Sequence, residues 1–142
     1  MKSIERNALV GYSARQMFNL VNDIESYPKF MPGCTGASVL AGGVDWMEAR
    51  LDLTKAGLKQ SVITVNQLNP PNSITLALQS GPFKKFHGQW LFQPLAENAC
   101  KVVFRLEYEF ANKLVGLAVG KLFEQVASEQ VDAICKRAKE IY

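Results

Sequence analysis

Apolar and polar residues alternate along much of the chain between Ala37 and Phe110. The longest run is residues 101–110, in which even-numbered positions are apolar or aromatic and most odd-numbered positions are charged. A period of two is typical of antiparallel strands with one buried face and one exposed face. The pattern therefore predicts six strands in this stretch. Turn-forming residues separate the runs at Gly42–Gly43, Asn69–Asn72, Gly81–Pro82 and Glu97–Asn98.

The two ends of the chain follow other patterns. Lys2–Val10 is predicted to be a further strand, and Ala14–Asn22 a short amphipathic helix with Ser13 as its N-cap. From about Asn112 to Ile141 the apolar residues recur every three or four positions without a proline, which predicts one helix about 43 Å long. A sheet with one apolar face and a helix with an apolar stripe can bury both by packing together. The sequence therefore predicts a two-layer α+β domain in which the sheet wraps the long helix.

A stiff, aromatic-rich segment lies between the short helix and the sheet. Residues 27–34 hold two prolines, which prevent the segment from prolonging the preceding helix. They also hold three large apolar side chains, Tyr27, Phe30 and Met31. We interpret this segment as a lid that covers the edge of the core or the mouth of a pocket.

The composition is that of one globular domain spanning residues 1–142. Apolar residues make up 48% of the chain, charged residues 20%, and the net charge of +3 permits an acidic partner without requiring one. No apolar run reaches the roughly 18 residues of a membrane helix, and charges occupy the position where a secretory signal has its apolar centre. We therefore expect a cytoplasmic protein. The three cysteines form no CxxC pair, so we expect them to be reduced and mostly buried.

The faces predicted to point inward offer almost no group for acid–base catalysis. Tyr108 is the one polar residue among them, and His87 should face outward because its parity differs from that of Trp90. One histidine without partners cannot build a metal site. We therefore expect no catalytic residue, no metal and no required cofactor. The positions predicted to face inward are Met47, Ala49, Leu51, Leu53, Ile74, Leu76, Leu78, Trp90, Phe92, Val102, Phe104, Leu106, Tyr108 and Phe110.

Two glycines in the last helix, Gly116 and Gly120, allow two interpretations. Each costs about 1 kcal/mol of helix stability relative to alanine, so either close packing or space for a ligand should compensate. In the second case the N-terminal half of the helix, apolar nearly all round, would roof a cavity beside the lid. Apolar pockets hold their ligands by a few polar groups, for which Tyr108, Trp46 and Gln89 are the nearest candidates.

Basic residues form two small groups, Lys84 with Lys85, and Lys136 with Arg137 and Lys139. One interpretation is a solvated surface, with the second group complementing the dipole at a helix C-terminus. The other is contact with the phosphate groups of rRNA or anionic lipid. RNA binding would rest mainly on shape and charge, because no strip of interleaved aromatic and basic residues is present.

Three segments resemble a known family. They are VNDIESYPKFMPGC at 21–34, GPFKKFHGQWLFQPL at 81–95 and CKVVFRLEYEFANKLVGLAVGKLFEQVASEQVDAICKRAKEIY at 100–142. With the order of elements, they resemble the helix-grip fold of START-like (Bet v 1-like, polyketide cyclase/dehydrase) proteins, in the branch of RatA and the mitochondrial coenzyme-Q-binding proteins. The resemblance implies a curved seven-stranded antiparallel sheet wrapped around a long C-terminal helix, with two short helices after strand 1.

The resemblance implies two activities. Mitochondrial members bind ubiquinone and support respiration, and some bacterial members bind the large ribosomal subunit and block subunit joining. We expect non-enzymatic binding of a hydrophobic, ubiquinone-like ligand between sheet and helix, with ribosome association as the alternative. A polyketide cyclase or aromatase shares the fold but is disfavoured by the inner face. The cytoplasmic location allows peripheral contact with the inner membrane, and no DNA partner is expected.

The expected site residues fall into two sets. If the ribosome alternative holds, the phosphate contacts are Lys84, Lys85, Lys136, Arg137 and Lys139. The residues expected to line the cavity and its lid are Tyr27, Phe30, Met31, Pro32, Leu51, Leu76, Trp90, Phe104, Tyr108, Leu117, Gly120 and Phe123.

Overall fold

The computed structural model describes all residues from 1 to 142. Strand β1 (Lys2–Val10) is followed by helix α1 (Ala14–Asn22) and a 3₁₀ helix (Ile24–Lys29), and the chain ends in helix α2 (Lys113–Ile141). The bounds predicted for the first strand and the first helix are confirmed. The six strands between them are β2 (Cys34–Gly42), β3 (Trp46–Lys55), β4 (Leu58–Asn69), β5 (Ser73–Ser80), β6 (Phe83–Ala96) and β7 (Ala99–Phe110).

The seven strands form one antiparallel sheet in the order β1-β7-β6-β5-β4-β3-β2. Strands β2 to β7 follow one another as neighbours, and β1 joins the free edge of β7. Helix α2 contacts β1 and β7 near one edge of the sheet, and β3 and β4 towards the opposite edge. The predicted α+β domain, with a sheet that wraps the long helix, is therefore confirmed.

The start of α1 is fixed by two reciprocal hydrogen bonds. The Gln16 backbone N–H donates to Ser13 Oγ (3.1 Å), and the Ser13 backbone N–H donates to Gln16 Oε1 (2.9 Å). This capping box satisfies two backbone donors that a helix start leaves free. The helix then buries Met17, Phe18 and Val21 among its apolar residues, which places its last turn beside the sheet.

The fourteen strand positions predicted to face inward are all buried or half-buried. One departure from strict alternation occurs at the start of β6. The pairing of β6 with β7 shifts between Phe83 and Lys85, which is a β-bulge. Because of the bulge, Phe83 and Phe86 both lie on the core side, and Lys84 and Lys85 are both exposed.

Helix α2 begins at an N-cap, Asn112, whose side chain accepts a hydrogen bond from the Val115 backbone N–H at 2.9 Å. Its buried stripe starts at Gly120 and continues to Ala138. The first turns are different, because Leu114 is 79% exposed and Leu117 is 85% exposed. The first turns therefore do not roof a cavity, as was predicted for the whole N-terminal half of this helix; only the later part of that half, with Phe123 and Val126, lines one. Neither α1 nor α2 combines the length and apolar character needed to cross a bilayer.

The two helix glycines pack against one aromatic ring. A Cβ atom at Gly116 would lie 3.4 Å from Phe110 Cδ2, and one at Gly120 would lie 3.7 Å from Phe110 Cε2. Neither glycine lines the cavity described below. The space beside both glycines is therefore taken by Phe110 and not by the cavity, and the contacts are loose enough to leave room for a methyl group.

Gly120→Ala is expected to raise the free energy of unfolding by about 1 kcal/mol. Its Cβ would make an ordinary contact with Phe110, and alanine costs less backbone entropy in a helix. Thermal unfolding should show a rise in Tm of roughly 2–4 °C. Gly33→Ala is the control that should lower Tm, because Gly33 has φ of +79° and its Cβ would lie 2.6 Å from Val126 Cγ2. A fall in Tm for Gly120→Ala would contradict the packing described here.

The three cysteines are free thiols, as predicted, with Cys34 and Cys100 buried and Cys135 half-buried. Burial, reinforced by the neighbouring Cys135, raises the pKa of Cys100 to about 11. Burial also raises the pKa of Cys34 and of Cys135. All three thiols are therefore held in their protonated, weakly nucleophilic form near neutral pH.

Candidate ligand-binding cavity and basic surface

A cavity of about 70 Å³ lies between the sheet and the middle of α2. Its wall contains 20 residues, of which 16 are hydrophobic, from α1, the 3₁₀ helix, strands β3 to β7 and α2. One water needs roughly 10–15 Å³ of such space, so the cavity is several times larger than a single-water site. It is about half the volume of a cavity that holds a benzene ring, so a ring or a long isoprenoid chain would require it to open.

Six of the twelve residues predicted for the cavity and lid do line it. The inward positions of β6 and β7 bring Trp90 and Phe104 together, with ring centroids 4.6 Å apart, and Phe123 and Ala127 face the cavity from α2. That these residues bind a ligand stays a prediction. The six that line the cavity are Tyr27, Leu51, Leu76, Trp90, Phe104 and Phe123.

Of the lid segment, only Tyr27 reaches the cavity. Met31 is buried in the core, and Pro32 is exposed. Phe30 is half-buried between the Tyr27 ring, 5.7 Å away, and the Arg137 guanidinium, 5.3 Å from its ring centroid. The 3₁₀ helix explains this arrangement, because it turns Tyr27 inward and leaves its proline, Pro28, outside.

The other three predicted lining residues lie towards the start of α2. Tyr108 is buried in an aromatic cluster, with its ring 4.8 Å from that of Phe123 and 5.5 Å from that of Phe110. Gly120 packs against the same Phe110. Leu117 points to solvent, and its prediction as a cavity residue is wrong. The cavity lies farther along α2, where Phe123, Val126, Ala127 and Gln130 face the sheet.

Tyr27 is the titratable side chain in the cavity wall. Its hydroxyl donates a hydrogen bond to the backbone carbonyl of Val21, in the last turn of α1. Burial raises the pKa of Tyr27 far above its ordinary value, and nearby Cys34 and Asp23 add to the shift. The phenol therefore stays protonated and ties the 3₁₀ helix to α1.

Tyr27→Phe is expected to lower the free energy of unfolding by about 1 kcal/mol, because it leaves the buried Val21 carbonyl without this donor.

The raised pKa of Tyr27 also makes the free energy of unfolding depend on pH. The folded state holds the Tyr27 proton more tightly than the unfolded state, so its stabilisation is complete below about pH 10 and is lost as the pH rises further. Denaturant titrations from pH 7 to 11 should show a shallower alkaline loss in Tyr27→Phe. Tyr12→Phe, on a half-buried ring, is the control that should keep the parent profile.

Four polar residues in the cavity wall were not predicted, namely Asn22, Thr64, Asn66 and Gln130. Asn66 is 2% exposed and is the one buried polar residue of the chain. Its Oδ1 accepts a hydrogen bond of 2.7 Å from Thr64 Oγ1. Asn22 Oδ1 is fully buried and has no hydrogen-bond partner. The polar part of the wall is thus made of uncharged amide and hydroxyl groups.

The sequence did contain a signal for three of these residues. Asn66 and Thr64 continue the period of two from Val62 along β4, and Gln130 lies four residues after Val126. The polar anchors predicted from the sequence were different residues. Trp46, Gln89 and Tyr108 do not line the cavity, and Gln89 in particular lies on the outer face because its neighbour Trp90 faces inward.

His87 is exposed on β6, as its parity predicted. Side chains of His, Cys, Asp and Glu do not come together anywhere in threes or more with the spacing of a metal site. Lys84 and Lys85 are exposed near His87, at the start of the same strand, where the β-bulge turns both outward.

A second, open groove adjoins the start of α2. Lys2, Lys84 and Lys113 line it together with the exposed Leu117. Glu109 is the acidic residue in its wall. We call the groove, together with the neighbouring Lys85 and Leu114, the α2-start surface. It combines a local excess of positive charge with exposed leucine side chains.

The other basic group lies at the opposite end of α2. Lys136 is 23 residues beyond Lys113, which corresponds to about 35 Å along the helix. Arg137 in this group is engaged within the molecule, because its guanidinium lies over the Phe30 ring and contacts Glu140 Oε2 at 3.4 Å. Lys136 and Lys139 are exposed. The two predicted basic groups therefore do not form one surface.

Comparison with known sequences agrees with this architecture. Residues 10–135 match a family described as polyketide cyclase / dehydrase and lipid transport. The ribosome association toxin RatA of Vibrio cholerae is 49% identical over 142 residues, covering 100% of this chain and 99% of that protein. The persistence and stress-resistance toxin PasT of Escherichia coli is also 49% identical over 142 residues, covering 100% and 90%. A mitochondrial coenzyme Q-binding protein of Drosophila melanogaster is 24% identical over 138 residues, covering 94% and 57%.

Two solved structures have the same fold. The Zhui aromatase/cyclase from Streptomyces sp. R1128 superposes with a TM-score of 0.83 at 18% identity, covering 97% of this chain and 93% of that one. A START superfamily protein from Mycobacterium smegmatis gives a TM-score of 0.82 at 24% identity, covering 99% of both chains. These likenesses concern the fold alone. With the family match and the full-length relatives, they show that this chain belongs to the polyketide cyclase / dehydrase and lipid transport family, with a START-like helix-grip fold, in the branch of RatA and the coenzyme Q-binding proteins.

Proposed function

We propose that this chain associates with the ribosome, through its large subunit. The observation that carries the proposal is 49% identity, over the whole chain, with proteins named ribosome association toxin RatA. This corresponds to about 70 identical positions, whereas 34 residues of the chain are buried. At least about half of the shared residues therefore lie outside the buried core, so the likeness is not confined to the residues that pack the fold together.

Sedimentation with purified ribosomes tests this proposal. The protein should migrate with the separated large subunit, remain at the top of the gradient with the small subunit, and reduce the yield of joined ribosomes as its concentration rises. A cytoplasmic location follows from such an activity. Absence of the protein from the large-subunit fraction at low salt would contradict the proposal.

The α2-start surface is the better candidate for this contact. It gathers exposed lysines from the starts of β1, β6 and α2, whereas Arg137 at the other end of α2 is held by Phe30 and Glu140. Clustered cations gain affinity for nucleic acid by releasing counterions from phosphate groups. The exposed Leu114 and Leu117 add apolar area that a free helix end would not need.

The cavity supports a second candidate function, which is the binding of a hydrophobic ligand of the quinone or lipid class. A concave, mostly apolar wall with a few polar groups is the usual form of a small-molecule site. Acid–base chemistry in this cavity is disfavoured, because its titratable side chain, Tyr27, is a protonated phenol committed to the Val21 carbonyl. We therefore propose binding without catalysis.

Native mass spectrometry of protein purified from its own host tests the second function. A retained hydrophobic molecule should appear as an added mass that organic extraction removes. Protein that carries no such mass, and that binds none when incubated with quinones or lipids, would contradict it.

A further inference from the structure

Strand β2 forms one of the two edges of the sheet, and one of its sides is unpaired. It pairs with β3 alone, and no hydrogen bond outside that pairing involves a backbone group of residues 37–42. Residues 38–45 are all exposed, among them the apolar Leu40 and Val44. Free N–H and C=O groups along an exposed edge are a template on which another strand can pair.

The opposite edge of the sheet, β1, carries charged side chains. Lys2, Glu5 and Arg6 lie along it. Glu5 also forms an ion pair with Arg105 of the neighbouring strand at 3.1 Å. Charged residues on an edge strand are a usual protection against strand pairing. The segment 30–44, which contains β2, has no charged side chain, so β2 is the edge that is open to a further strand.

The charges around β2 differ in sign between its two ends. Beside its N-terminal end lie Lys29, the last residue of the 3₁₀ helix, and Lys55, the last residue of β3. At its C-terminal end lie Asp45, in the turn that follows, and Glu48, which is paired with Ala41. The edge is therefore uncharged along its length, basic at one end and acidic at the other.

This arrangement is complementary to a second copy of itself. An antiparallel pair of identical strands brings the N-terminal end of each beside the C-terminal end of the other. The basic end of one copy then meets the acidic end of the other at two symmetric places, whereas a parallel pair would join like charges. Complementary charges fix the partner and the direction of an interface. Between the two ends, Arg50 and Asp52 already neutralise each other in an ion pair of 2.9 Å.

We propose that two copies of this chain pair through β2, antiparallel, about a two-fold axis near Ser38. The two seven-stranded sheets then become one continuous sheet. With the axis at Ser38, the branched side chain of Val39 lies opposite the small Ala37 of the second copy. A two-fold contact of this kind uses the same surface on both copies and closes on itself, so assembly stops at the dimer.

The structure also limits the strength of this dimer. Irregularities in the β2–β3 pairing after Cys34 and after Val39 leave Gly36–Val39 as the regular part of the edge, and bulges bend a strand away from a partner. So short a contact belongs to the small, transient class of interfaces. We expect a dissociation constant on the order of 10–100 µM.

Sedimentation equilibrium of the full chain, from tenfold below to tenfold above that concentration range, tests the inference. The average mass should rise from the 15.8 kDa of one chain towards twice that value and no further. Over the same range, hydrogen exchange should slow at the backbone amides of residues 37–42 that β3 leaves free. Exchange at the amides of β1 should not change.

Val39→Lys should weaken the dimer by about tenfold or more, because it brings two like charges together across the axis. Val39 is 40% exposed, so the melting temperature should stay near that of the parent. Leu9→Lys is the matched control. It makes the same change on an exposed residue of β1 and should leave the dimer unchanged.

Three results would overturn the inference. A monomer at every concentration would leave the β2 edge to a strand of another protein. Oligomers larger than a dimer would mean that the contact does not close on itself. Equal weakening by Leu9→Lys and Val39→Lys would place the contact elsewhere than on β2.

Discussion

Replacing both Lys84 and Lys85 by glutamate is expected to weaken association with the large ribosomal subunit by roughly 60-fold at 0.1 M salt. Each lost phosphate contact forfeits the release of about 0.9 counterion, so two contacts lower the magnitude of the salt slope by about 1.8. Lys84 and Lys85 are suited to contacting phosphate groups because the β-bulge exposes both at the start of β6, next to Lys2 and Lys113. Sedimentation with large subunits across a salt series measures the affinity and the slope together.

The other end of α2 provides the matched control. Lys136→Glu with Lys139→Glu makes the same change in net charge, on exposed residues about 35 Å away along the helix. It should weaken the association much less and leave the slope near that of the parent. If the two double variants weaken binding equally, association follows net charge and not the α2-start surface. If neither has an effect at any salt concentration, both groups are only solvated surface.

Ala127→Leu is expected to abolish retention of a hydrophobic ligand, with binding at least roughly tenfold weaker, or about 1.4 kcal/mol. Ala127 is 2% exposed and faces the cavity from α2, so the added carbon atoms enter space that a ligand would occupy. Leucine is nearly as good a helix former as alanine, and the cavity can accept much of the added volume. The melting temperature should therefore stay close to that of the parent. Native mass spectrometry and thermal unfolding of the same samples measure both effects.

Ala138→Leu makes the same substitution eleven positions later on the same helix. Ala138 is fully buried but does not line the cavity, so leucine there overpacks a filled core at a cost of about 1–3 kcal/mol. Its ligand retention should survive while its melting temperature falls. A large fall in melting temperature for Ala127→Leu as well would mean that the space beside Ala127 behaves as solid core.

The two proposed functions use separate parts of the molecule. The cavity is built around the middle of α2, whereas the α2-start surface uses the first turns of the helix and the ends of β1 and β6. Charge reversal at Lys84 and Lys85 should therefore leave ligand retention unchanged, and Ala127→Leu should leave ribosome association unchanged. Loss of both activities in either variant would indicate that ligand binding and ribosome association are coupled.

Local pattern alone determined the strands and the two α-helices of this protein and the buried face of each. The fourteen strand positions assigned to the core are buried or half-buried, and the Ser13 cap begins α1 where it was predicted. These features follow from the sequence because burial of one face imposes a period of two on a strand, and because a cap acts on the backbone of its own first turn. The resemblance of three segments to a family added the order of assembly, which the structure confirms.

Contacts between distant segments decided the rest. Helical spacing shows which face of α2 is apolar, but only the sheet decides which turns it covers, so Leu117 was placed in the cavity and is instead exposed. Gly120 was predicted to be a cavity residue, but it packs against the Phe110 ring at the end of β7. Likewise, Asn22 and Asn66 line the same cavity only because α1 and β4 pack on opposite sides of it. A cavity is the space that the side chains of several packed elements leave unfilled. No single segment of the sequence contains all of these elements, so the cavity could not be predicted from one segment.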